Sequence, residues 1–175
     1  MLYTVRSIVV ALVVFAASAM PASSPAAAAP EVVRFSADYP LGSIIVVNSE
    51  RHLYYVIGKG HALRYPVAVG TPENQWTGQS FVGSKAVNPT WTPPWSPGHT
   101  MPGGGNNPLG ARALYLGWTN YRIHGTNAPG SIGSPASHGC VRMFNPDVID
   151  LYSRVNLGAP VFVVNTLPAA TLASN

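Results

Sequence analysis

Short runs of β-branched and aromatic residues, each cut off by glycine, proline or a turn, limit this chain to a fold of short strands. SIIVVN (Ser43–Asn48), HLYYVI (His52–Ile57), LRYPVAVG (Leu63–Gly70) and SFVGSKAV (Ser80–Val87) follow one another with turn-length gaps. Their Val, Ile and Tyr content suits a pleated, half-buried surface, and the first three read as a meander. Pro66 lacks a ladder donor, so the third run is expected at a sheet edge or at a bulge. Strands resume at ARALYLG (Ala111–Gly117), YRIHG (Tyr121–Gly125), CVRM (Cys140–Met143) and VFVVN (Val161–Asn165).

Only FNPDVIDLYSRV carries a helical pattern. Val148, Leu151, Tyr152 and Val155 recur at spacings of three and four, with Asn145 expected as N-cap, Pro146 at the first helical position and Asp147 where the helix dipole favours an anion. The residues therefore predict one mostly-β domain, spanning about 43–166, with a short helix beside its Gly-rich loop. Residues 30–42 read as a linker-like lead and 167–175 as a flexible tail.

Between the strands lies NPTWTPPWSPGHTMPGGGNNPLG (Asn88–Gly110), a segment too rich in proline and glycine for a regular element. Loops this long are functional or disordered. Trp91 and Trp95 favour an ordered flap or cleft wall, because their rings would otherwise sit in water.

The N-terminus differs from the rest. After Arg6 comes the apolar run IVVALVVFAASAM (Ile8–Met20), then small residues ending in Ala-Ala-Ala. This reads as a secretory signal peptide over residues 1–29, too short for the roughly 20 residues of a membrane span. No membrane association is expected beyond it. Ten basic residues against six acidic ones are scattered, which argues against a nucleic-acid footprint.

Export makes the single cysteine informative, since secreted domains usually carry cysteines in pairs. Cys140 lies in IHGTNAPGSIGSPASHGCVRM with His124 and His138. A thiol nucleophile needs a base and an oxyanion site; His124 at a strand end, or His138 two residues away, could supply the first. Backbone N–H groups in the glycine-rich turn at Gly139 could supply the second, and the planar fork of Arg142 suits a carboxylate. Two other readings fit the same residues: a buried structural thiol, and a zinc site from His124, His138 and Cys140.

The string H-x12-SHGC, followed by VRM and NPDVIDLY, resembles the signature of the L,D-transpeptidases (YkuD-like domains) that remodel bacterial peptidoglycan. NPLG, RALYL, YRIHGTN and VNLGAPVFV strengthen the likeness outside the motif. The resemblance implies a single β-sandwich or barrel-like catalytic domain without cofactor or metal. It makes Cys140 the nucleophile and His124 the proton donor and acceptor, oriented by the carbonyl of Gly125. Ser137, His138 and Gly139 would shape the loop and its oxyanion hole, and Arg142 would lie near a substrate carboxylate. Tyr121, Trp91 and Trp95 are candidate cleft walls. The partners implied are peptidoglycan peptide stems, with a second stem, an envelope protein or water as acyl acceptor, in the periplasm or cell-wall space of a bacterium. A thiol of this kind would also be open to carbapenem acylation, whereas a non-catalytic cell-wall binding module using the Trp-rich flap would not.

The sequence departs from the family pattern in two places. The loop between His124 and Ser137 is trimmed to twelve residues, and WTGQSFVG (Trp76–Gly83) replaces the usual Thr-Pro segment. No accessory peptidoglycan-binding repeat is expected.

Overall fold

Ile44, Ile45, Val46 and Val47 are all fully buried, which a strand with one wet face cannot achieve. In the computed structural model, which describes residues 30–168 except 37, these four form β2 (Ile44–Val47), with a core on each side. Ile44 and Val46 point into the main core, while Ile45 and Val47 point outward into a second cluster with Phe35, Tyr54 and Val56. Phe35 and Tyr39 cover that outer face, Phe35 lying 5.2 Å from the Tyr54 ring and Tyr39 4.8 Å from Phe162.

The cover comes from the lead. Glu31–Arg34 forms β1 and pairs antiparallel with β4 (His61–Gly70). The segment is therefore part of the sheet and not a linker. Its four residues carry only Val32 and Val33 as strand formers, too little alternation to stand out. The expected signal peptide and the end of the tail lie outside the described residues.

The remaining strands are β3 (His52–Gly58), β5 (Gly78–Val87), β6 (Arg112–Leu116), β7 (Arg122–His124), β8 (Pro135–Ser137), β9 (Val141–Met143) and β10 (Pro160–Val164). Hydrogen bonding runs β4-β3-β2-β10-β5-β6-β7-β9, and β9 pairs back onto β4. The sheet thus closes on itself into a barrel, with β1 and β8 added along β4 and paired on one side only. The meander β2-β3-β4 holds as expected, but closure depends on β4 pairing along both edges. Its first half takes β1, Val67 and Ala68 take β9, and Val69–Gly70 take β8. Pro66 sits at the changeover between β1 and β9. Val67 N–H points toward β3, donating to the Arg51 carbonyl at 2.9 Å, so by alternation the missing donor of Pro66 faces the gap.

The helix α1 (Asn145–Arg154) connects β9 to β10, which lies parallel to β2. Val148, Leu151 and Val155 enter the main core, and Lys85 Nζ donates to the carbonyls of Tyr152 and Val155 at the helix end, both at 2.6 Å. The N-terminus of α1 differs from expectation. The capping position is Phe144, and Asn145 is the first helical residue, with its side chain bonded elsewhere.

Candidate active site

Strands β7 and β9 lie side by side and parallel, with Ile123 level with Val141 and His124 level with Arg142. Ile123, Val141 and Met143 face the main core. Alternation therefore turns His124, Arg122 and Arg142 to the opposite face, and brings Cys140, one residue before β9, into line with them. Ala113 stands level with His124 on β6, and Ala68 level with Arg142 on β4.

His124 is 4% exposed, whereas Cys140 is partly exposed, is a free thiol and can be reached from solvent. His124 Nδ1 lies 2.6 Å from the Gly125 carbonyl. A carbonyl only accepts, so Nδ1 carries the proton and Nε2 is left with its lone pair. Burial pushes the imidazole down to about 4; the Gly125 carbonyl opposes this shift, and Arg142 and Arg122 add to it. His124 is thus neutral near pH 7, in the tautomer of a base.

The loop leading to Cys140 is pinned at successive residues. Thr71 N–H donates to the Ser137 carbonyl at 2.9 Å, Ser137 Oγ donates to the Cys140 carbonyl at 2.5 Å, and Gly139 N–H donates to Ser137 Oγ at 3.1 Å. Trp76 Nε1 donates to the Gly139 carbonyl at 3.0 Å, and the Trp76 ring stacks on Tyr121 with centroids 5.0 Å apart. Gly139 has φ +106°, and a Cβ there would lie 2.3 Å from the Tyr121 ring. Both the backbone and the packing require glycine at this position.

Asn145 holds the other side. Its Oδ1 accepts from Ala111 N–H at 2.9 Å, and its Nδ2 donates to the Thr126 carbonyl at 2.9 Å. Gly110 and Gly125 admit it, because a Cβ on either would come within 2.2 Å or 2.1 Å of Oδ1. One side chain therefore ties the start of α1 to β6 and to the segment whose Gly125 carbonyl orients His124.

The flap from Asn88 to Gly110 is ordered around buried Asn107. Its Nδ2 donates to the carbonyls of Pro89, Met101 and Pro102, and its Oδ1 accepts from Leu109 N–H. Trp91 forms an isolated bridge with Met101 and packs edge-on against Trp95. Trp95 itself is 75% exposed, so the expectation that both rings would leave water fails for it. Side-chain amide bonds order this loop, not burial of both tryptophans.

Residues 42–163 match the family model of the L,D-transpeptidase catalytic domain. The chain belongs to the L,D-transpeptidase family. It is 38% identical over 145 residues to a probable L,D-transpeptidase, YbiS, of Escherichia coli K12, covering 73% of this chain and 46% of the relative. It is 41% identical over 100 residues to the putative L,D-transpeptidase YkuD of Bacillus subtilis, covering 57% of this chain and 51% of the relative. The chain thus spans about half the length of these relatives. Among solved structures, the NMR structure of the catalytic domain from the E. faecium L,D-transpeptidase aligns with a TM-score of 0.58 at 21% identity, covering 73% of this chain and 99% of that one. L,D-transpeptidase 3 from Mycobacterium tuberculosis aligns with a TM-score of 0.56 at 19% identity, covering 71% and 61%. These neighbours share the fold.

Within this L,D-transpeptidase domain, His124 and Arg142 stand level on neighbouring strands, His124 is bonded to the Gly125 carbonyl, and Ser137 ties Gly139 and the Cys140 carbonyl into the loop that leads into β9. His138 is exposed, and its side chain makes no hydrogen bond among the described residues. Among those residues no three His, Cys, Asp or Glu side chains gather as a metal-binding group, so the zinc set weighed from sequence does not assemble. Tyr121 lines the loop under Gly139, and its partner Trp76, rather than Trp91 or Trp95, is the tryptophan that touches the Cys140 loop. Trp76 opens the segment that departs from the family pattern, which hid its part. The signal for Asn145 was present as two glycines, Gly110 and Gly125, flanking β6 and β7. The family match begins at residue 42, so β1 and its aromatic cover lie outside it.

Proposed function

We propose that this domain is an exported peptidoglycan L,D-transpeptidase acting through a Cys140 thioester. The observation that carries the reading is the neutral, buried imidazole of His124, locked by Gly125 with Nε2 unprotonated, on the strand beside the one that Cys140 leads into. His124 Nε2 takes the thiol proton as Sγ attacks the carbonyl of the third residue of a tetrapeptide stem. Arg142 and Arg122 disfavour the imidazolium, so the proton passes readily to the departing amine of the terminal D-alanine. An amine of another stem, or of a protein, then attacks the thioester, gives its proton to His124 and restores the thiol.

Gly139 N–H is already bonded to Ser137 Oγ, whereas the Cys140 N–H has no acceptor among the described residues. The Cys140 amide is therefore the better oxyanion donor. Ser137 and Gly139 act by fixing the carbonyl and backbone of the nucleophile's loop. The apolar run Ile8–Met20 supports export to the periplasm or cell-wall space.

Product analysis with a disaccharide-tetrapeptide tests the reading. A cross-linked dimer with release of D-alanine, both absent in Cys140→Ala, is the expected result. Tripeptide alone would assign water as acceptor and make the enzyme an L,D-carboxypeptidase. No reaction would leave a binding module and refute the proposal.

A further inference from the structure

Two guanidinium groups share the face of His124, and neither meets an acid. Arg142 stands level with His124 on β9, while Arg122 lies two residues before His124 on β7. Extended one residue beyond the paired positions, that register sets Arg122 beside Cys140. The only ion pairs among the described residues are Arg64–Glu31 and Arg154–Asp150. Of the other acids, Glu50 takes the Tyr54 hydroxyl and Asp147 lies in the first turn of α1. The Arg122 guanidinium lies 5.5 Å from the centre of the Tyr115 ring, its cross-strand neighbour, which holds it in place. Its Nε is buried without any hydrogen-bond partner. A buried cationic donor left unpaired is costly, and a planar fork with free donors is the group best shaped to take a carboxylate.

We infer that Arg122 is a specificity-determining residue that binds the free α-carboxylate of the amino acid leaving from Cys140. The inference rests on the proposed thioester reaction. In the leaving residue only the α-carbon separates the scissile nitrogen from the carboxylate. A substrate carbonyl seated at Cys140 therefore presents that carboxylate close to the thiol. Adjacent strands lie about 4.8 Å apart, within the reach of an arginine side chain placed level with the nucleophile. A site built this way selects stems that end one residue beyond the bond being cut. Stems with an amidated end, or continuing past that residue, leave the Arg122 donors unpaired and are rejected.

The test compares a tetrapeptide stem with its C-terminal amide, reading kcat/KM for release of the terminal residue or its amide. Wild-type protein is expected to prefer the acid about 10- to 100-fold, as suits a charge-assisted pair. In Arg122→Gln that preference collapses toward one. In Arg122→Lys, which keeps the charge but loses the fork, it falls to an intermediate value. Equal rates on acid and amide in wild type, or a preference that survives in Arg122→Gln, would overturn the inference while leaving the thioester reaction standing. Turnover of neither peptide by wild type would refute the reaction, and the inference with it. If Arg122→Gln fails to fold, the Lys variant decides: an undiminished preference there overturns the assignment.

Discussion

Replacing Gly125 by alanine tests how His124 is held, because the whole cost arises from one contact. Gly125 does not have positive φ, so alanine suffers no backbone penalty there. Its new Cβ would lie 2.1 Å from Asn145 Oδ1, with the next atoms, Ala111 N and Gly110 Cα, at 3.1 and 3.2 Å. Asn145 must withdraw and lose both hydrogen bonds, to Ala111 N–H and to the Thr126 carbonyl. Each buried group left unpaired costs about 1–3 kcal/mol, so Gly125→Ala should destabilise by roughly 2–6 kcal/mol. Asn145→Ala removes the same two bonds and should cost about the same. The double variant has neither the clash nor any further bond to lose, so its cost should match one single variant and not the sum. Urea unfolding of the four proteins should give a coupling energy of about 2 kcal/mol or more. Additivity within about 0.5 kcal/mol would refute the idea that Asn145 and Gly125 act as a unit.

Gly139→Ala meets both a left-handed φ of +106° and the Tyr121 ring, so it should destabilise by about 2 kcal/mol or more and reduce D-alanine release, read by calorimetry and product assay. Asn107→Ala strips donors from three carbonyls and an acceptor from Leu109 N–H; hydrogen exchange should then accelerate across residues 88–110 while β2 and β3 stay protected. The acid limb of kcat/KM should fall with a midpoint near pH 4 rather than near 6.5, since the free protein protonates His124 only there. A histidine whose folded value is depressed is protonated more readily in the unfolded chain. His124 therefore withdraws stability, up to about 3 kcal/mol, as pH falls from about 6.5 to 4, and the loss should be absent in His124→Gln. Asp147, pushed up to about 6 by burial and by Asp150, has the opposite slope over the same range in both proteins and cancels in the comparison.

Much of this architecture was legible because period-two apolar runs and turn residues mark strands directly, and Val148, Leu151 and Val155 mark a helix. Closure of the barrel was not legible: pairing of β4 with β1, β8 and β9 along one edge is a long-range choice that no local pattern encodes. The three residues of β8, Pro-Ala-Ser, have no strand propensity and pair because the pinned loop lays them along β4. Asn145 and Pro146 looked like a cap and a first turn, yet tertiary bonds to Ala111 and Thr126 outcompeted capping and moved the boundary by one residue. Around the candidate site, the spacing from His124 to Ser-His-Gly-Cys picked out the ends of two segments that the fold lays side by side, β7 and the loop into β9. The residues that hold it in shape, Trp76 and Asn145, act through side-chain bonds across 63 and 34 positions, and no spacing rule reaches that far.

Cys140 is the centre of the account, and intact-protein mass spectrometry after rapid acid quench tests it most directly. With a disaccharide-tetrapeptide and no acceptor, the protein should gain the mass of the substrate less one alanine, and proteolysis should map the adduct to the peptide holding Cys140. Release of D-alanine by Cys140→Ala, or an adduct carried by any other residue, would contradict it.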